Sequence, residues 1–393
     1  MSIPIKIAGV GMTPFVKPGR HDPYEVMAAK AVRTALRDAG LRYADIGQAY
    51  ASYVFGDSNC GQAALYRIGL TGLPIINVNN NGSSGSSALM LARQAVLSGV
   101  VDCALAFGFE EMRPGVTGPV WTDRTSPLVL MERQLEHLKP QVPPAPYAQR
   151  IFGSAAAAYI EKTGASPTIF AKVAVKSRKH AEHNADALYR KPITVEEVLA
   201  SSMIFPPYLT RMAACPPSCG AAAVIVCSER FARQRGLRRG VNILAQAMAT
   251  DRNARKKNPI DLAGADMTRN AAAQVYQKAG IGPEDVDVIE LHDCFTSNEV
   301  ISYEALGLCG PGQAEKLIAD GDNTYGGQFV VNPSGGLMSK GHPLGATGLA
   351  QCVELVTQLR GEADKRQVEG ARIALQHNLG LGGAGVVTLY GSP

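Results

Sequence analysis

The chain repeats itself, and that repeat constrains the fold more than any single motif. Near the N-terminus, Ile5 to Val10 reads as a buried strand. The helix after it carries Ala28, Val32, Ala35, Leu36 and Ala39 on one face and ends at Gly40. Ala44-Asp45-Ile46 then leads into a strand through Tyr50 to Phe55. The second half has the same order: a strand at Val241 to Ala245, then a helix with Met267, Ala271, Val275 and Ala279 that ends at Gly280. Glu284-Asp285-Val286 leads from there into Val288 to Leu291. The correspondence continues. The turn Asn77 to Ser87 opens a helix from about Ala88 to Leu97, before a strand at Cys103 to Phe107. Val331 to Gly336 leads through Gly341 to Gly348 into a helix from about Leu349 to Leu359, before strands at Ile373 to Leu375 and Gly385 to Leu389. Two βαβ-rich halves of one order imply a duplicated α/β fold with buried sheets.

The halves are separated by a segment of different character, Val116 to Met212. It holds Pro140, Pro143, Pro144 and Pro146 and the cations Lys172, Lys176, Arg178, Lys179, Arg190 and Lys191. It reads as an inserted, largely helical region, and the apolar run Ala221 to Cys227 closes the first half. With 46 % hydrophobic and 19 % charged residues in 393, the chain has material for a large core. Its net charge of +5 comes without a basic run interleaved with aromatics, so nucleic acid is not an expected partner. No stretch of about 18 apolar residues lacks a charge, so no membrane span is expected. Met-Ser-Ile-Pro-Ile-Lys at the start lacks the apolar core of a secretory signal. Eight cysteines suit a reducing compartment, and no second Cys/His pair joins Cys215 and Cys219 at zinc spacing, so no metal is expected.

Four polar segments sit where helices begin or strands end, the positions that hold reactive groups in α/β proteins. The first is Asn79 to Ser87, a Gly/Ser-rich turn opening a helix, whose free N–H groups and dipole favour an oxyanion or an activated nucleophile. A plain Ser-rich helix cap has the same composition. The second is His292-Asp293-Cys294-Phe295, placing imidazole, carboxylate and thiol at a strand end, as either a site or a satisfied core cluster. The third is Gly341-His342-Pro343, where a histidine held in a turn is suited to general-base work or oxyanion donation. The fourth is His377 to Ala384, whose glycines allow close backbone approach between two C-terminal strands, or form a simple hairpin.

Together these segments resemble the thiolases, specifically the branch of sterol-carrier-protein thiolases, and the resemblance covers nearly the whole chain. It rests on Val54-Phe55-Gly56-Asp57-Ser58, Ile75 to Asn81, Glu290 to Phe295, Gly321 to Gly327 and Asn332 to Gly348. His-Asp-Cys-Phe marks the branch, since other thiolases resemble Asn-Glu-Ala-Phe there. The Cys-x-Gly loop of other thiolases is replaced by Leu379-Gly380-Leu381-Gly382. The resemblance implies a duplicated thiolase fold with five layers, αβαβα, and an inserted loop domain. The halves would be residues 1–115, closed by 213–238, and 239–393, with the loop domain at 116–212. It implies Claisen chemistry on acyl-CoA, that is acyl transfer or thiolysis of a 3-ketoacyl-CoA. His342 would be the activating histidine, Cys294 the acid/base thiol and His292 part of an oxyanion site. Ser83, Ser84, Gly382 and Gly383 are candidates to bind substrate or an oxyanion, and Lys172, Lys176 and Arg178 to hold the phosphates of CoA. No cofactor beyond CoA as substrate is implied. A homodimer or tetramer, with the strand leading to Asn81 at its interface, and a possible partner subunit follow from the same resemblance. A C-terminus reading Tyr-Gly-Ser-Pro rather than Ser-Lys-Leu points to a bacterial cytoplasm.

One departure governs the functional reading. The family's nucleophile motif resembles Asn-Asn-Asn-Cys-x-x-Gly-Ser, and here Asn79-Asn80-Asn81-Gly82-Ser83-Ser84-Gly85-Ser86 puts glycine at the cysteine position. Glycine cannot carry an acyl group. Ser83, one residue on, would point elsewhere. Three readings stay open: carbon–carbon cleavage such as a retro-aldol without an acyl-enzyme, an acyl-CoA- or lipid-binding pseudoenzyme subunit, and an engineered replacement in an ordinary thiolase. Cys219, where thiolases usually carry Asp, is a second departure, expected to touch the fold rather than the site.

Overall fold

The computed structural model describes residues 5–116, 118, 121, 123–252 and 256–393; Met1 to Pro4, the start of the N-terminal segment read for a signal, lie outside them. The strands are β1 Ile5–Met12, β2 Gln48–Ser52, β3 Ile75–Val78, β4 Cys103–Glu110, β5 Met203–Phe205, β6 Leu209–Thr210, β7 Gly220–Ser228, β8 Val241–Ala249, β9 Val288–Glu290, β10 Val330–Val331, β11 Ile373–Gly380 and β12 Ala384–Gly391. All but the small β5–β6 hairpin join in the order β10-β9-β11-β12-β8-β1-β7-β4-β2-β3. Read outward from its middle, this order is the same on both sides. β3, β2 and β4 are parallel, β7 is antiparallel to β4, and β1, antiparallel to β7, runs the same way as β4. β10, β9 and β11 are parallel, β12 is antiparallel to β11, and β8, antiparallel to β12, runs the same way as β11. Among the described residues the two sets pair at Lys6 opposite Asn242 and Ile7 opposite Val241. The repeat in the sequence is therefore a repeat in space.

Small apolar residues decide the layering. The helices Ser84–Leu97 and Leu344–Leu359 pack together, and Ala88, Leu89, Ala92, Leu349, Ala350 and Leu355 share one core with residues from both sheets. They form the middle layer. The helix Tyr24–Ala39 covers the outer face of the first sheet through Ala28, Val32 and Ala35. The helices Ala265–Ala279 and Thr296–Ala305 cover the second. This is the five-layer αβαβα arrangement that the resemblance implied. Between the halves, the helices Val129–Leu138, Tyr147–Thr163, Thr168–Ala181 and Val195–Ala200 make the intervening segment largely helical, as its composition suggested. Among the described residues no helix is long and apolar enough to cross a membrane.

The element boundaries differ from the sequence reading where residues are small and buried. Both middle helices start earlier than expected, at Ser84 rather than Ala88 and at Leu344 rather than Leu349. Their first turns are pressed against each other and against β4, so small residues, Ser and Gly, occupy them. A Cβ on Gly108 would lie 2.1 Å from the Gly345 carbonyl oxygen, and one on Gly348 would lie 2.2 Å from Ser86 Oγ. β2 ends at Ser52 rather than running to Phe55. Ser52 Oγ there donates to the Gly345 carbonyl at 2.7 Å, joining the strand end to the second helix.

The Gly108 contact fixes how closely β4 and the start of the second middle helix can approach. Gly108→Ala is expected to destabilise the protein by about 1–3 kcal/mol, since neither backbone can yield without moving its helix or strand. Urea unfolding checks this; an unchanged midpoint would mean that β4 and the second middle helix are not held by this contact.

Candidate active site

The two middle helices begin two residues after Gly82 and two residues after His342, so the tight packing brings those positions together. His292 arrives from the end of β9. Its ring meets that of His342 edge to face at 4.9 Å between centroids. A Cβ built on Gly82 would lie 3.0 Å from His292 Cε1, 3.3 Å from His342 Cε1 and 2.8 Å from the Leu379 carbonyl oxygen. The missing side chain of Gly82 would therefore project between both imidazoles. Sequence reasoning singled out these three positions separately, and the structure brings them together.

Each ring is held from behind. His342 Nδ1 lies 2.7 Å from Thr347 Oγ1, and its backbone N–H donates to Ser218 Oγ at 2.9 Å. His292 Nδ1 lies 2.9 Å from Asn378 Nδ2. The turn that delivers His342 is organised by carboxylates at the end of β9. Glu290 accepts from the Ser334 N–H at 3.0 Å and the Ser334 hydroxyl at 2.8 Å, and Asp293 accepts from the Leu337 N–H at 2.7 Å. A third buried carboxylate, Glu110, accepts from the N–H groups of Phe55 at 2.8 Å and Gly345 at 2.9 Å. Of these, Ser218, Glu110, Thr347 and Asn378 were missed as site residues. A buried carboxylate ending a strand, and a hydroxyl five residues after a turn histidine, are weak signals until the fold is known.

Burial dominates the electrostatics. It pushes the His342 imidazole down to about 3 and holds His292 well below its usual range, where His342 and His377 add to the effect. Both rings are therefore neutral at physiological pH. Burial pushes the Cys294 thiol well above its usual range, and the nearby Cys215 and Asp293 push the same way. A thiol kept protonated is a proton donor rather than a resident nucleophile.

The other expectations fare unevenly. Ser83 and Ser84 are buried, and their hydroxyls donate to the carbonyls of Asn80 at 2.9 Å and Asn81 at 2.6 Å. Those bonds cap the turn and commit both protons. Gly382 and Gly383 lie in the β11–β12 turn with positive φ, Gly382 exposed. The loop expected over His377 to Ala384 needs correction. His377 to Gly380 belong to β11, paired across to β12, and only Leu381 to Gly383 turn the chain. Buried, the His377 ring hydrogen-bonds Thr268 at 2.9 Å, away from the site. The cations also need correction. Lys176, expected to reach CoA, is buried in an ion pair with Glu299 and donates to the Val331 carbonyl at 3.2 Å. Arg178 lies over the Tyr189 ring at 4.2 Å, and only Lys172 of the three is exposed. Helical spacing did not reveal that this face meets the second half of the chain. Cys219 acts in the fold, its buried sulfur bonded to the Met112 backbone N–H at 3.2 Å.

Because burial depresses both imidazoles, nuclear magnetic resonance titration is expected to find them neutral from pH 8 down to pH 5. On these two rings the unfolded chain binds protons below about pH 6.5 that the folded chain does not, so their contribution to stability is lost as pH drops below that value, while the buried Asp293 and Glu110 carboxyls, pushed up by burial, act the opposite way. A midpoint near 6.5 for either ring would contradict the burial account.

Comparison with known proteins agrees with this architecture. A family model described as the thiolase N-terminal domain matches residues 5–202, and one described as thiolase C-terminal domain-like matches residues 247–390. Sterol carrier protein 2 from Oryctolagus cuniculus is 52 % identical over 392 residues, covering 98 % of this chain and 71 % of that protein. The benzoylsuccinyl-CoA thiolase subunit BbsB from Thauera aromatica is 36 % identical, covering 96 % of this chain and 95 % of its own. Among solved structures, an Ltp2-ChsH2(DUF35) aldolase superposes with a TM-score of 0.84 at 24 % identity, covering 99 % of this chain and 98 % of that one, a likeness of fold. With a duplicated five-layer fold, two matched thiolase domains and a half-identical relative along nearly its whole length, the chain belongs to the thiolase superfamily.

Proposed function

We propose that the chain binds an acyl-CoA thioester beside His292 and His342 and acts at its α- and β-carbons without an acyl-enzyme. The observation that carries this reading is Gly82, whose absent side chain would point between the two rings. On the thiolase pattern that is where the nucleophilic thiol stands, and glycine leaves nothing to acylate. The groups for polarising a carbonyl and moving a proton remain.

A retro-aldol step suits this set. His342 takes the proton of a 3-hydroxyl group, the Cα–Cβ bond breaks, and its electron pair passes into the thioester as an enolate. His292 donates to the enolate oxygen, and the Cys294 thiol returns a proton to the α-carbon. The products are an aldehyde or ketone and a shortened acyl-CoA, and the two side chains then exchange the proton to reset. In this reading residues 116–212 hold CoA, with exposed Lys172 and Lys179 near its phosphates. Lys176 is not among them. A homodimer through the outer edge of β3 belongs to the same reading. A second reading, an acyl-CoA-binding subunit acting with a partner, is favoured by the relative whose name is that of a thiolase subunit.

Two substrates separate these readings from ordinary thiolysis. A branched 3-hydroxyacyl-CoA is expected to yield a ketone and a shorter acyl-CoA without added CoA. A 3-ketoacyl-CoA with added CoA is expected to remain intact. Thiolysis lost on His342→Ala would overturn the proposal, and tight binding of both substrates with no turnover would favour the binding subunit. Gly82→Cys is not expected to restore fast thiolysis unaided, because its Cβ meets a backbone oxygen at 2.8 Å.

A further inference from the structure

The geometry points to Asn378 as a positioning residue that makes His292 a hydrogen-bond donor at Nε2, through a one-way chain of hydrogen bonds starting at the Gly348 carbonyl. This deepens the proposed function and rests on it for the role of His292, though the direction of the chain does not.

The chain can be followed bond by bond. A carbonyl oxygen only accepts, so the Gly348 oxygen fixes which end of the Gln376 amide faces it, namely Nε2. The other end, Oε1, accepts from the buried Tyr390 hydroxyl, consistent with that orientation. Gln376 Nε2 also donates to Ser86 Oγ at 3.0 Å. Ser86 then spends its own proton on Asn378 Oδ1 at 2.8 Å. That leaves Asn378 Nδ2 facing His292 Nδ1 at 2.9 Å. An amide nitrogen donates and does not accept, so His292 Nδ1 must be bare. The proton of the neutral ring is then on Nε2. Turning the Asn378 amide over would present two amide nitrogens to Ser86 Oγ and leave the serine proton without this acceptor.

The neighbouring ring is set the opposite way. Thr347 Oγ1 donates to the Pro343 carbonyl at 3.0 Å, so its one proton is used. It therefore accepts from His342 Nδ1–H at 2.7 Å, and His342 Nε2 keeps a lone pair. Two histidines side by side thus hold opposite tautomers, one fit to take a proton and one fit to give a hydrogen bond to an oxyanion. Ser86, Gln376, Asn378 and Tyr390 are all buried, so water does not compete for these bonds.

Nitrogen-15 spectra of the protein labelled at histidine test this without substrate. The expected wild-type spectrum shows His292, identified by the lines lost in His292→Gln, as a neutral ring protonated at Nε2. His342, identified likewise from His342→Gln, is expected to be protonated at Nδ1. Asn378→Asp offers only acceptors, so His292 is expected to shift its proton to Nδ1 or become an imidazolium. With the proton moved to Nδ1, the same variant is expected to bind acetoacetyl-CoA about tenfold more weakly, the loss of one good hydrogen bond, whereas an imidazolium keeps its Nε2–H and is expected to bind it no more weakly. If that variant does not fold, the wild-type spectrum still decides. A wild-type His292 protonated at Nδ1, or an Asn378→Asp spectrum unchanged from it, overturns the proposal. A correct tautomer in a protein that does not bind acetoacetyl-CoA leaves this assignment standing and removes the acyl-CoA reading instead.

Discussion

The contact between two helix starts, made backbone to backbone through glycine, is the constraint on which the site depends. Gly85, Gly108, Gly345 and Gly348 leave no side chain between the middle helices and β4. Any added carbon would push the helices apart, and with them Gly82 and His342, each just upstream of its helix. Dense packing transmits such shifts rather than absorbing them. The site is thus a product of the duplication: each half contributes one helix start, and Gly82 and His342 meet where the halves meet.

A second layer of control is a set of buried carboxyl groups and ion pairs. Glu290 and Asp293, on either side of His292, tie the end of β9 to the turn that delivers His342. Lys340 reaches Glu290 at 3.4 Å, and Lys176 pairs with Glu299 on the helix that follows Cys294. Lys176 comes from the segment between the halves, so this ion pair ties that segment to the site's own scaffold. Buried pairs of this kind do little for net stability compared with apolar packing, but removing one partner leaves a costly unpaired charge. They hold the loops in place more than they hold the fold together.

Much of this was legible in the sequence, because the repeat was. Apolar periodicity and terminal glycines located the strands and helices of both halves, and the polar turns located Gly82, His292, Cys294 and His342. What escaped was whatever depends on distant partners. Lys176 looks like a surface cation until helix Thr168–Ala181 is packed against Glu299. His377 to Gly380 look like loop because Asn and Gly are poor strand residues, yet pairing with β12 keeps them in the sheet. Asn378 carries no local signal of its role, since its meaning comes from Ser86, almost three hundred positions away in the chain.

The central claim is that these imidazoles and the Cys294 thiol work on an acyl-CoA that never becomes covalently attached. Intact-protein mass spectrometry after incubation with acetyl-CoA or acetoacetyl-CoA, quenched in acid to preserve thioesters and esters, tests it most directly. The expected result is a single species at the unmodified mass. An acyl increment mapped by peptide analysis to Cys294, Ser83 or any other side chain would contradict it.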